Sequence, residues 1–140
     1  MEDAIRLNYE ISPDDFTRAG EASGDVKRKL KQLGVSPEAV RKGAIAMYEG
    51  EINMVIHARG GTIMVEITPQ EILMVLDDVG PGIPDVSLAM QEGYSTAPDA
   101  IRSLGFGAGM GLPNMKKYSD EMEIETQLGV GTKITMKVKI

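Results

Sequence analysis

Apolar and polar residues alternate at the start of the chain. This period of two predicts a β-strand over 5–11 with one buried face, formed by Ile5, Leu7, Tyr9 and Ile11. Between 15 and 33 the apolar residues recur at helical spacing instead, which predicts an amphipathic helix that stops at Gly34. A second helix is expected from Ser36–Pro37 to about His57, because a serine hydroxyl caps free amides and proline suits the first helical position.

Strand patterns follow the two helices. Residues 62–68 and 72–77 are rich in apolar and β-branched side chains and are joined by a short turn, the layout of a hairpin. A short helix is expected over 113–118, and a second hairpin joins the alternating segments 122–126 and 134–140. This order predicts an α+β fold, a two-layer sandwich in which helices cover one face of a mainly antiparallel (mixed) sheet.

The second predicted helix carries a polar edge. Glu49, Asn53 and His57 recur every four residues and therefore share one side of the helix, while Tyr48 and Ile52 on the neighbouring side are expected to face the sheet. A carboxylate and an amide oxygen one turn apart can serve a hydroxyl group or a hard cation such as Mg²⁺. The same spacing is also common on a solvated helix face, and His57 taken alone is an ordinary polar residue at a helix end.

A D-x-G-x-G motif follows the strand at 72–77. Asp78 could accept a hydrogen bond from an exocyclic amine, and Gly80 and Gly82, just before Ile83, would let the backbone approach a flat ring. A simple turn is the competing interpretation, because Asp, Gly and Pro are common turn residues.

A glycine-rich motif precedes the short predicted helix. Alternate glycines that lead into a helix start suit phosphate groups, because free amides and the positive end of the helix converge there. No G-K-[ST] sequence follows, so this is not a P-loop, and the context of a Rossmann motif is missing. A flexible hinge is the alternative. The motif comprises Gly107, Ala108, Gly109, Met110, Gly111 and Leu112.

Composition narrows the function classes. The chain has 140 residues, which suits one domain over 1–140, with a net charge of −6, no cysteine and one histidine. Disulfides and thiolate metal sites are excluded, and the acidic charge argues against nucleic acid as a general partner. The chain lacks an apolar run of the ~20 residues that a membrane helix needs and begins without a secretion-signal pattern, so we expect no membrane association and a cytoplasmic location.

Together the motifs resemble one family. The order E-x-x-x-N, D-x-G-x-G, G-x-G-x-G-L and G-x-G-T (129–132) is similar to that of the GHKL ATP-binding fold, shared by gyrase, the heat-shock chaperone, sensor histidine kinases and MutL. The resemblance covers about 36–140. The segments YEGEINMVIHARGG, DDVGPGI, GYSTAP and GAGMGLPNMKKYSDEMEIET look most like those of the bacterial anti-sigma regulatory serine/threonine kinases of partner-switching modules.

The resemblance implies catalytic roles for matched residues. Glu49 would be the general base that accepts the proton of a partner's serine or threonine hydroxyl. Asn53 would hold Mg²⁺ against the triphosphate of ATP, with His57 on the same nucleotide-binding edge. Arg18 on the first helix would meet the γ-phosphate or the partner.

The other matched residues would hold the nucleotide. Asp78 would bind the adenine amine, with support from Thr132 through water. The segment at about 84–106, which includes Ser95 and Thr96, would form a lid that ATP orders. The remaining matched residues would surround the base and the phosphates with their backbone. They are Gly80, Gly82, Ile83, Gly107, Ala108, Gly109, Met110, Gly111 and Leu112.

Two classes of function fit this resemblance. The first is an ATP- and Mg²⁺-dependent kinase that phosphorylates an anti-sigma antagonist-type protein. The second is a binding module, an anti-sigma factor or other regulator whose ATP state selects partners such as a sigma factor, with little catalysis. A fold that has lost nucleotide binding is a third alternative. A homodimer is a further expectation, because such relatives commonly dimerise.

Overall fold

The computed structural model describes residues 4–12, 18–57, 60–83, 86, 90 and 111–140. This part of the chain forms five strands and three helices, and the α+β class is confirmed. In chain order the elements are β1 (Ile5–Ile11), α1 (Glu21–Gln32), α2 (Pro37–His57), β2 (Gly61–Ile67), β3 (Glu71–Val79), α3 (Gly111–Lys117), β4 (Glu121–Gln127) and β5 (Gly131–Lys139).

The strands form one sheet in the order β1-β2-β3-β5-β4, and every pairing between these described strands is antiparallel. Because alternate residues of a strand point to the same face, the register lines up side chains in rows across the sheet. Three rows on the helix-covered face are apolar. They are Tyr9–Ile63–Leu76–Ile134–Ile124, Leu7–Val65–Met74–Met136–Met122 and Ile5–Ile67–Ile72–Val138.

The next row on this face differs in chemistry. Gly61, Asp78, Thr132 and Thr126 follow one another across β2, β3, β5 and β4. We call Asp78, Thr132 and Thr126 the polar row. It marks the end of the apolar core, at the place where β3 leaves the sheet.

The second helix, α2, is the central helix of the other layer. Its start is capped as predicted, since the Ser36 hydroxyl accepts a hydrogen bond from the Ala39 N–H at 3.3 Å. Its buried face includes Met47 and Met54. A Cβ on Gly50 would collide with the Leu76 side chain, so this glycine lets α2 approach β3 closely.

The first helix, α1, ends as predicted but begins later than its pattern indicates. It starts at Glu21 because Gly20 has a φ of 91°, a conformation that interrupts a right-handed helix and costs glycine little. Residues 15–17 of the predicted helix lie outside the described residues. The expectation that Tyr48 faces the sheet is wrong, because its side chain is 39% exposed and packs against Gly20, whose added Cβ would lie 3.0 Å from the ring.

Candidate functional site

The polar edge of α2 lies against the first turn of α3. Glu49 and Asn53 are both partly buried. The side chain of Asn114 is hydrogen bonded to the Glu49 carboxylate. A Cβ on Gly111 would lie 2.7 Å from Nδ2 and 2.8 Å from Oδ1 of Asn53, so only glycine lets α3 begin directly against this amide. The two polar residues of the E-x-x-x-N motif are therefore held by one short helix.

Burial changes the acid–base character of Glu49. It raises the pKa of this carboxyl group above its ordinary value, and the hydrogen bond from Asn114 opposes that rise. A carboxylate with a raised pKa binds a proton more strongly than a solvated one does. Glu49 is therefore suited to accept a proton from a hydroxyl group placed beside it.

The second half of the site is the polar row. Asp78 Oδ1 accepts a hydrogen bond of 2.9 Å from the backbone N–H of Thr132, while Oδ2 has no hydrogen-bond partner in the part of the chain that the structure describes. Burial raises the pKa of Asp78, the bond from Thr132 opposes the rise, and the charge of Asp77 adds to it. Asp78 thus offers an acceptor oxygen in a partly dehydrated position, which suits an N–H donor of a ligand.

The D-x-G-x-G segment is bonded to the turn between β4 and β5. The Gly80 N–H donates to the Val130 carbonyl at 3.1 Å, and the Gly129 N–H donates to the Pro81 carbonyl at 3.0 Å. Gly82 has a φ of 78°, and a Cβ on it would lie 2.7 Å from the Gln127 carbonyl oxygen. The motif is therefore fixed at the end of β3, and Gly82 is required because two chain segments approach closely there.

The two threonine hydroxyl groups of the polar row connect it to Ile83, the residue that follows Gly82 of the D-x-G-x-G segment. Thr126 Oγ1 accepts a hydrogen bond of 2.8 Å from the Ile83 N–H and lies 2.9 Å from Thr132 Oγ1. Ile83 is the last residue before the predicted lid. Thr126 was not indicated by the sequence pattern, because a threonine in an alternating strand near a turn reads as an ordinary hairpin residue. Only the register of β4 against β5 aligns it with Thr132.

Several predicted site residues lie outside the described residues. They are Ser95, Thr96, Gly107, Ala108, Gly109 and Met110, and only Val86 and Met90 of the predicted lid are described. Of His57, the backbone is described as the last residue of α2. The Leu112 side chain packs in the core at 7% exposure, which leaves only its main chain for a ligand. The predicted role of the glycine-rich motif at the phosphates stays a prediction.

The expectation that Arg18 belongs to the first helix is wrong, because α1 begins at Glu21, and Arg18 lies on a different surface from Glu49 and Asn53. Its side chain is 64% exposed, and Nε is 3.4 Å from Glu21 Oε2. It lines a cavity of about 400 Å³ between β1, α1 and α2, whose described lining includes neither Glu49 nor Asn53. Within the described contacts Arg18 is not brought together with these residues, so its part in catalysis also stays a prediction.

Glu51 is a second residue that the sequence pattern did not indicate. Its side chain is 2% exposed. It accepts hydrogen bonds from the backbone N–H groups of Gly20 (3.0 Å), Ala22 (3.2 Å) and Ser23 (3.0 Å). Glu51 is roughly 200° around the helix from Glu49, so α2 presents one carboxylate to α3 and another to α1. From the sequence, this angle could have shown that Glu51 lies on the side of α2 opposite Glu49. The structure shows that this side faces α1.

Comparison with known proteins identifies the class. Residues 46–140 match the family of histidine kinase-, DNA gyrase B- and HSP90-like ATPases. The mycobacterial sensor histidine kinase MprB has the same fold, with a TM-score of 0.54, 17% identity, and coverage of 96% of this chain and 97% of that one. The chain therefore belongs to the histidine kinase-, DNA gyrase B- and HSP90-like ATPase family, as the motifs indicated.

Two relatives are similar over most of their length. The anti-sigma F factor of Clostridium novyi is 33% identical over 117 residues, which cover 79% of this chain and 78% of that protein. The serine/threonine-protein kinase RsbT of Bacillus subtilis is 31% identical over 108 residues, which cover 74% and 75%. This chain is thus similar both to a protein named an anti-sigma factor and to one named a protein kinase.

The described residues fit the ATP that the family implies. Asp78 has an acceptor oxygen available for an amine, and Gly82 and Gly111 let the D-x-G-x-G segment and the start of α3 lie directly against Gln127 and Asn53. Within the described ranges there is no cluster of three or more His, Cys, Asp or Glu side chains that could hold a metal ion. Asn53 offers an amide oxygen, a ligand type that Mg²⁺ accepts together with phosphate oxygens. None of the described helices is both long and apolar enough to span a membrane.

Proposed function

We propose that this protein is an ATP- and Mg²⁺-dependent serine/threonine kinase whose substrate is an anti-sigma antagonist-type protein. The observation that supports this most is the pairing of Glu49 and Asn53. One is a partly buried carboxylate with a raised pKa, and the other is an amide one turn away, held against Gly111. The similarity to a protein named serine/threonine-protein kinase points the same way.

The proposed chemistry assigns one step to each residue. Bound Mg·ATP supplies the phosphoryl group and part of the charge neutralisation. Glu49 accepts the proton of the substrate hydroxyl. The oxygen of that hydroxyl bonds to the γ-phosphorus as the bond between this phosphorus and the leaving ADP oxygen breaks. Asn53 would hold the cation, Asn114 orients Glu49, and Asp78 would accept a hydrogen bond from the amine of the base.

Label transfer from ATP tests this proposal. The protein is incubated with γ-labelled ATP, Mg²⁺ and purified antagonist-type proteins. We expect transfer to a serine or threonine by the parent and at least a hundredfold slower transfer by Glu49→Gln, whose affinity for ADP should stay within about threefold. Glu38→Gln is the matched control, since Glu38 lies on the same helix with a 76% exposed side chain. Parental transfer rates in Glu49→Gln would contradict the assigned base.

A binding module is the second candidate. It is favoured by the relatives named anti-sigma F factor, several of which are about as similar as the kinase. In that case ATP, without phosphoryl transfer, controls capture of a sigma factor or another cytoplasmic regulator. Capture of such a partner that needs ATP and persists in Glu49→Gln, together with no label transfer by the parent, identifies this alternative. Sedimentation in the same buffers reports whether the chain forms the expected homodimer.

A further inference from the structure

We propose that Thr126 determines the preference of the site for adenine, because it fixes the direction in which the Thr132 hydroxyl donates its proton. This inference rests on the proposed ATP site and deepens it. Thr126 lies on β4, one strand beyond the residues that the ATP-binding motifs single out. Its position is set by the register of the sheet, which aligns Thr126, Thr132 and Asp78 in adjacent strands.

The hydrogen bonds of Thr126 limit where its single proton can go. Its oxygen already accepts the Ile83 N–H at 2.8 Å. Its proton has two possible acceptors, the Thr132 hydroxyl oxygen at 2.9 Å and the Gly131 carbonyl oxygen at 3.4 Å. A separation of 3.4 Å is beyond the usual range for O–H···O bonds, whereas 2.9 Å lies within it. The proton of Thr126 is therefore directed at Thr132.

This direction decides what Thr132 can do for a ligand. A hydroxyl group has one proton, and the Thr132 oxygen now receives a bond from Thr126, so its own proton is available for the ligand. Asp78 beside it is an acceptor, because its Oδ1 takes the Thr132 N–H and its Oδ2 has no partner among the described residues. The edge of the site thus presents an acceptor and a donor side by side.

An acceptor beside a donor matches adenine and not a 6-oxopurine. Adenine offers an amine, which donates, next to a ring nitrogen, which accepts; hypoxanthine and guanine present the reverse order. A water between Thr132 and the base transmits the same order, since it accepts the Thr132 proton and keeps its own protons for Asp78 and the ring nitrogen. A site whose donors and acceptors are fixed discriminates strongly against a ligand with the opposite order.

The test compares ADP with inosine diphosphate, which differs at this base edge alone. Calorimetric titration is carried out with the parent, Thr126→Val, Thr126→Ser and the control Thr135→Val, in which the altered threonine lies on β5 facing the other side of the sheet. Thr126→Val should lower the ratio of ADP to inosine diphosphate affinity about tenfold or more, because the Thr132 hydroxyl is released to rotate. Thr126→Ser and Thr135→Val should keep the parental ratio.

The possible outcomes separate the inference from the function on which it rests. An unchanged ratio in Thr126→Val, or an equal loss of both nucleotides, overturns the inference and leaves the ATP site standing. Failure of the parent to bind either nucleotide overturns the proposed function and the inference with it. If Thr126→Val does not fold, as judged by circular dichroism, Thr126→Ala replaces it, and the same ratio decides.

Discussion

Glu49 and Asp78 are carboxyl groups that the folded protein holds in positions unfavourable to their charge. Burial raises the pKa of both, so each ionised group is less stable in the folded state than in the unfolded chain. Sites of this kind are retained for binding or catalysis at the expense of stability. At the scale of single residues, stability and activity should therefore respond to mutation in opposite directions.

Asp78→Asn should separate these two effects. The asparagine oxygen can still accept the Thr132 N–H, while the buried charge is removed, so the midpoint of thermal unfolding should stay equal or rise. The second oxygen becomes an NH₂ group, which cannot accept a hydrogen bond from the amine of the proposed base, and ADP affinity should fall at least tenfold. Calorimetric titration and thermal unfolding measure the two quantities, with the exposed neighbour Asp77→Asn as control. ADP affinity retained in Asp78→Asn would contradict the adenine assignment.

The pH dependence of phosphoryl transfer should report Glu49. A general base acts when ionised, so the rate should fall as the pH is lowered through the pKa of Glu49, which burial raises above its ordinary value. Asn114→Ala removes the hydrogen bond that lowers this pKa, so the acid limb of the pH–rate profile should move to higher pH. The exposed Asn8→Ala is the control. An acid limb that stays in place in Asn114→Ala argues against this arrangement.

Among the elements, α1 is joined to its neighbours by polar side chains as well as by its apolar face. Tyr9 on the edge strand donates a hydrogen bond of 2.6 Å to Asp25 Oδ2, which also accepts one from Lys29 at 2.7 Å. Arg28 donates to Asp25 Oδ1 at 2.9 Å. The hydrogen bonds from Lys29 and then from Tyr9 lower the pKa of Asp25 to about 2. This network holds β1 and α1 together.

Asp25→Asn should therefore destabilise the protein in a pH-dependent way. We expect the free energy of unfolding to fall by about 1–2 kcal/mol at neutral pH. Because the pKa is lowered on folding, the contribution is present above the unfolded value of 3.8 and is lost as the pH falls towards about 2. Urea unfolding between pH 2 and 7 measures this. If the free energies of unfolding of parent and variant differ by the same amount throughout that range, the predicted pH dependence is wrong.

Glu51 should matter more than the surface carboxylates. Glu51→Ala leaves three backbone N–H groups at the start of α1 without their acceptor, and we expect a loss of about 3 kcal/mol in the free energy of unfolding. Glu51→Gln keeps one acceptor oxygen and should lose less. Glu38→Gln should change stability by less than about 0.5 kcal/mol. Urea unfolding at neutral pH compares the three, and a small effect of Glu51→Ala would show that water replaces the carboxylate.

Across the whole molecule, alternation and helical spacing predict the elements because they record which face of each element is buried. The strand at 5–11 and the capped start of α2 follow directly from these local rules. The late start of α1 does not follow from them. The Gly20 N–H is hydrogen bonded to Glu51, so the conformation of Gly20 depends on a helix that comes later in the chain. Thr126 could not be found for a similar reason, since its alignment with Thr132 comes from strand register.

The motifs identified the family, and the structure adds how the motif residues are held. Glu49 and Asn53 could be assigned to one helix edge from their spacing alone. Their contacts with Asn114 and Gly111 could not, because these require the position of α3 against α2. Tertiary contacts of this kind leave no periodic signal in the sequence, which is why the supporting residues of the site appear only in three dimensions.

The polar row also has a consequence for the lifetime of the protein. The apolar core ends at the row before the polar row, so a purine ring bound against the polar row would extend the core while it is bound. Nucleotide at a hundred times its dissociation constant would add about 2.7 kcal/mol to stability. The chain without nucleotide would then be cleaved sooner than the chain with it, and proteolysis with and without ADP would measure the difference.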